Sequence, residues 1–195
     1  MAAILRPWLR RTLILLVGLV CVWCLRGAIF RLCVSYHPIG ERAIPPRTPA
    51  VASAWFYAHG FIFSDPEVLA DRALDFTDDH LVYRFSRTSS DPDRLLESHR
   101  AHCVGYALLC ASAIRTGLAS SGLDKNWSVH ARVVKLSLFG VDVHPYLPGA
   151  FFRDHDVVEL REKSSGRSIW LDPSLHEVVG IDRIRAETKN RGDGM

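Results

Sequence analysis

The chain has 195 residues, room for one ordinary domain and an accessory segment, with 48% hydrophobic and 23% charged residues. That balance excludes a disordered chain. The formal charge is only +3 and the basic residues are interleaved with acids, so no nucleic-acid partner is expected.

The first predicted element is apolar. Leu13 to Leu25 read LILLVGLVCVWCL; Arg26 interrupts the run, and Gly27 to Phe30 resume it. Counted through Arg26, the segment reaches the roughly 20 residues a bilayer helix needs, because an arginine near a helix end can snorkel. A cleaved signal peptide would want small residues at its cleavage site. A lipoprotein would want one just before Cys21 or Cys24, where Val20 and Trp23 stand. A core helix rarely opens with several arginines and stays apolar on every side. Residues 1–34 are therefore expected to be a retained single-pass transmembrane anchor. Arg6, Arg10 and Arg11 hold the N-terminus in the cytoplasm by the positive-inside rule, which puts the C-terminal domain outside; Arg26 and Arg31 oppose this.

Residues 35–50 carry Pro38, Pro45, Pro46 and Pro49 and are expected to form a proline-bearing linker. The globular domain is expected over 51–195, with a frayed tail from Lys189. Within it, Pro66 to Ala73 reads as a short helix capped by Ser64 or Asp65, and Leu81 to Phe85 as a strand. DPDRLLESHRA opens a second helical stretch at Asp91-Pro92. CVGYALLCASAIRTGL has helical spacing, with Gly117 placed to end it. VHARVVKLSL alternates as a strand; DVVEL and SIWL are strand-like and joined by the polar turn EKSSGR. The fold class is α+β: a central helix packed on an antiparallel sheet, after an N-terminal transmembrane helix.

Of five cysteines, Cys21, Cys24 and Cys33 lie in or beside the apolar run. Cys103 and Cys110, on one helix, would be roughly 10 Å apart, too far for a disulfide. Cys110 lies among leucines and alanines and reads as a small core hydrophobe. Cys103 instead opens the central helix, where the helix dipole favours a thiolate. His155 begins one strand of a hairpin, and Asp172 follows the other. Both are nearly equidistant from a turn centred near Ser164, so the carboxylate can reach one imidazole nitrogen and leave the other for the thiol. That is the nucleophile, base and orienter arrangement.

The segments HCVGYALLCASAIRTGL, WSVHARVV, DHDVVEL and WLDPSLHEVVGI together resemble the transglutaminase-like superfamily over roughly Ala73 to Ile181. In that family a helix-start cysteine is followed by a strand histidine and an aspartate before Pro-Ser or Pro-Thr. Cys103, His155 and Asp172 stand at those places in that order. The resemblance implies a papain-like α+β core. It implies acyl transfer through a Cys-His-Asp triad, with a peptide or protein substrate and no cofactor. Family members include transglutaminases, cysteine proteases, peptide amidases and inactive relatives. The sequence departs from the pattern after the histidine, where Asp156 and Val157 replace the usual aromatic residue.

The expected chemistry is a thioester at Cys103 formed from a peptide or glutamine-type amide, with hydrolysis favoured slightly over transamidation. The alternative is a catalytically inactive module of the same fold that binds a protein or peptide partner at the membrane. A zinc site would draw on His99, His102, Cys103, His130, His144 and His176, but no second pair with regular spacing exists. Asp154 and Asp156 without a glycine-bearing loop are a weak calcium signal. Trp127, Trp170, Phe151 and Phe152 are read as core or rim packing that could also wall a substrate groove.

Overall fold

The computed structural model describes residues 2–60, 62–86, 88–143, 145–146 and 154–186. His144, Phe151, Phe152 and the tail from Lys189 lie outside the described residues. The chain is an α+β protein in which an apolar helix precedes a mainly antiparallel sheet with helices packed against it.

Helix α1 spans Ala2–Cys33 and leads directly into strand β1, Val34–Arg42. Next come α2 (Pro49–His59), α3 (Pro66–His80), β2 (Val82–Tyr83), α4 (Pro92–Ser98), β3 (Arg100–Ala101) and α5 (Cys103–Ser120). A 3-10 turn at Leu123–Lys125 leads to β4 (Trp127–Leu138), β5 (Val141–Asp142), β6 (His155–Glu162) and β7 (Ser168–Leu171). The last helix, α6, is Pro173–Val179.

The main sheet runs β1-β4-β6-β7, all antiparallel, with β5 paired to the end of β4. Alternation along the strands buries both sides. Trp127, Ala131, Val158, Leu160, Ile169 and Leu171 join the larger core with α5. Val134, Leu136, Val157 and Trp170 join a second cluster with Tyr36 and Ile184. Burying α5 against so much of the sheet needs an apolar helix, and nearly every residue from Cys103 to Leu118 is buried. Helices α1 and α5 are both long and apolar enough to cross a membrane; α5 is mostly buried inside the domain, whereas the α1 window from Trp8 has no buried residue.

Several expectations need correction. Residues 35–50 are not simply a spacer: β1 is a sheet strand whose register with β4 shifts between Pro38 and Gly40. Proline lacks a ladder N–H, and an edge strand with a bulge tolerates that loss. Gly117 does not end α5, which continues to Ser120. A Cβ at Gly117 would stand 2.3 Å from Leu69 Cδ1 and 3.3 Å from Trp55 Cζ2, so its role is close packing. The helix expected over 66–73 extends to His80, because Leu74, Phe76 and Thr77 continue its buried stripe. The hairpin register also differs. Val158 faces Leu171, which sets Asp172 beside Val157, diagonal to His155 and on the same side by alternation.

Candidate active site

Cys103 is the first residue of α5. His102 caps the helix, its Nδ1 accepting from Val104 N at 3.2 Å. Acceptance requires a neutral ring nitrogen, and burial lowers the His102 pKa, with Arg42 adding to the effect and Asp156 opposing it. The Cys103 N–H belongs to the first turn, whose donors have no intrahelical acceptor.

The diagonal placement of His155 and Asp172 brings His155 Nε2 to 2.5 Å from Asp172 Oδ2, with both side chains buried. Cys103 lies close enough to His155 to act on its charge. Burial pulls the His155 pKa down. The Asp172 charge and hydrogen bond, with the Cys103 contact, more than offset this and raise it to about 10. Burial would raise the Asp172 pKa, but the His155 charge and its hydrogen bonds hold it below the usual carboxylate range. Cys103, His155 and Asp172 thus stand in one line, hydrogen-bonded between His155 and Asp172 and with Cys103 close to the imidazole.

Asp172 is fixed by more than the histidine. It is the N-cap of α6: its Oδ1 accepts from Leu175 N at 3.1 Å and from Ser174 Oγ at 2.8 Å. Its Oδ2 also accepts from Tyr36 Oη at 2.9 Å. Burial, then the Asp172 charge and hydrogen bond, raise the Tyr36 pKa well above its ordinary value, so the phenol remains a donor throughout the working pH range. The Asp-Pro-Ser sequence is therefore a helix start: aspartate caps, proline occupies the first helical position, and serine supplies a second donor.

Around this line stand groups the sequence reading did not assign. Arg42, from β1, pairs with the buried Asp156 and lies near enough for Cys103 to raise its pKa, after the larger Asp156 hydrogen bond and against burial. Asp156 is raised by burial and lowered by that pairing. Tyr83 is raised to about 12 by burial first and then by its nearness to Cys103 and Asp172. Tyr36 and Arg42 were hidden because Pro38 and Gly40 break the strand pattern of VSYHPIGER; the apolar-polar alternation of Val34 to His37 is the one signal that pointed to a strand.

The other histidines are dispersed. His99 sits in a left-handed conformation with Nδ1 donating to His80 O at 2.9 Å. His130 Nδ1 meets Glu41 at 2.8 Å, and His176 Nδ1 meets Asp182 at 2.8 Å. Trp127 packs in the larger core and Trp170 in the second cluster. Cys110 is fully buried, and burial pushes its thiol up to about 12.

No family model matches the chain, and no curated protein or solved structure is significantly similar to it.

Proposed function

We propose that the protein is a transglutaminase-like cysteine enzyme with a papain-like core, anchored in a membrane by α1 with its C-terminal domain outside the cytoplasm. Cys103 is the nucleophile, His155 the acid-base residue and Asp172 the residue that orients His155. The supporting observation is the buried His155–Asp172 hydrogen bond with Cys103 close enough to His155 to raise its pKa.

The chemistry follows from the charges. With a pKa of about 10, His155 is an imidazolium near neutral pH, and a cation beside sulfur favours the thiolate. The sulfur adds to the carbonyl carbon of a peptide or glutamine-type amide, and the Cys103 N–H, a first-turn donor without an intrahelical acceptor, is the donor offered to the developing oxyanion. As the C–N bond breaks, His155 gives its proton to the leaving amine and a thioester remains. Neutral His155 then takes a proton from water, which attacks the thioester; the C–S bond breaks and thiolate and imidazolium return. An amine in place of water gives transamidation.

The test is alkylation by a thiol-directed electrophile across pH. Cys103 retains 9% exposure and Cys110 none, so Cys103 should react far faster in the wild type. His155→Ala should slow Cys103 near neutral pH by removing the imidazolium. Asp172→Asn should affect turnover more than alkylation, through the wrong histidine tautomer. Superimposable wild-type and His155→Ala profiles would end the cysteine-enzyme reading.

A further inference from the structure

Helix α1 does not leave the domain freely. Arg26 Nε donates to Val179 O at 2.6 Å and Arg26 Nη2 to Gly180 O at 3.0 Å, the carbonyls at the end of α6. The guanidinium also lies over the Trp23 ring, 4.7 Å from its centroid, and donates to Trp23 O at 3.0 Å. The depth of this contact can be read from helix geometry. Arg11 and Arg31 are twenty residues apart, about 30 Å along a helix, which is about the thickness of a hydrocarbon core. If α1 spans a bilayer between them, Arg26 sits about 7 Å inside its far boundary. An arginine there is costly unless it is paired, and its partners are backbone carbonyls of α6. The end of α6 is therefore held at membrane depth.

Two further features lie beside α1 near the far boundary. The turn between β4 and β5 is tied to the end of α1 by Phe139 N donating to Cys33 O at 2.7 Å. Its tip presents Phe139, 73% exposed, and Val141, 56% exposed, and α6 presents Val178, 63% exposed. Phe139 has φ 51°, a left-handed conformation that bulky residues seldom adopt, so an outward aromatic is held there despite strain. Between α1 and α6 runs an apolar groove of about 630 Å³, lined by Leu19, Val22, Trp23, Ile29, Leu175 and Val179 among others.

We propose that the end of α6 dips into the bilayer that α1 spans, that the β4–β5 turn rests its apolar tip on that bilayer's boundary, and that the α1–α6 groove holds a phospholipid acyl chain. This rests on the anchor reading above. The occupant is lipid because the groove continues the exposed apolar surface of α1 to the depth set by Arg26. The consequence reaches the candidate site: α6 is gripped by α1 at its end and capped by Asp172 at its start, so the triad sits at a fixed height above the membrane.

The experiment uses the full chain in phosphatidylcholine vesicles, with photoreactive p-benzoylphenylalanine in place of one residue at a time. Substitution at Phe139, Val178 or Val179 should give adducts on the acyl chains. Their yield should be at least about tenfold above that from Tyr57, which is 97% exposed on α2. Leu15 serves as the span control. Strong labelling at Leu15 with Phe139, Val178 and Val179 at the Tyr57 level would overturn the docked face while leaving the anchor standing. Labelling absent at Leu15 as well would overturn the anchor reading and this inference with it.

Discussion

At the scale of single residues, the unusual group is the buried His155. Its pKa is raised to about 10, whereas an unfolded chain would titrate it near 6.5. A raised folded pKa means that the folded state binds the proton more tightly. The stabilisation is fully present below about pH 6.5 and is lost as pH rises toward 10. Asp172, held low, acts on the opposite side, with its contribution lost only as strong acid protonates it. The full chain in detergent should therefore lose thermal stability between about pH 6.5 and 10, and His155→Gln should lack that part of the decline. Melting curves of the two proteins across this range check the claim. A wild type that gains stability as pH rises there would sink it.

At the scale of elements, α5 decides where the sulfur lies, and its glycines decide how closely it packs. A Cβ at Gly105 would lie 2.8 Å from the Cβ of Ala101 and 3.2 Å from Leu95 Cδ2. Ala101 is buried on β3 and has no rotamer to turn away. Gly105→Ala gains helix propensity of up to about 1 kcal/mol but must push β3 or the α4 helix of Leu95 aside, an overpacking cost of about 1–3 kcal/mol. The expected net result is lower stability and slower Cys103 alkylation, since Gly105 lies two residues from Cys103; denaturant unfolding and alkylation rates measure both. Such tight contacts also show what the sequence can and cannot disclose. The helix at Cys103 was legible from its long apolar run, and the strands at His155 and Ser168 from short apolar runs on either side of the polar turn EKSSGR. Gly117 was misread as a stop because its reason, the packed Leu69 and Trp55, is distant in sequence. The diagonal His155–Asp172 geometry was hidden because only pairing sets register. Tyr36 and Arg42 were lost because a bulged edge strand bearing proline resembles a linker.

At the scale of the whole molecule, that edge strand makes 35–50 part of the site's support. Tyr36 donates to Asp172, and Arg42 pairs with Asp156, whose side chain is wholly buried while Arg42 is partly exposed. A chain beginning at Val51 would leave Asp156 buried without its cation. Breaking such a pair costs about 2–4 kcal/mol after discounting for the exposure of Arg42. It would also take the Tyr36 donor from Asp172 and uncover the β4 edge with Val134 and Leu136. Against a typical domain stability of 5–15 kcal/mol, these losses together are large. A chain beginning at Val34 keeps β1 and loses only α1, including the Phe30 ring that packs 6.3 Å from Tyr36. The shorter chain should therefore aggregate or unfold without a cooperative transition. The chain from Val34 should unfold cooperatively and keep a Cys103 far more reactive than Cys110. Circular dichroism melts and alkylation of the two chains decide the point, because a cooperative, fully reactive chain from Val51 would show that β1 is dispensable to both fold and site.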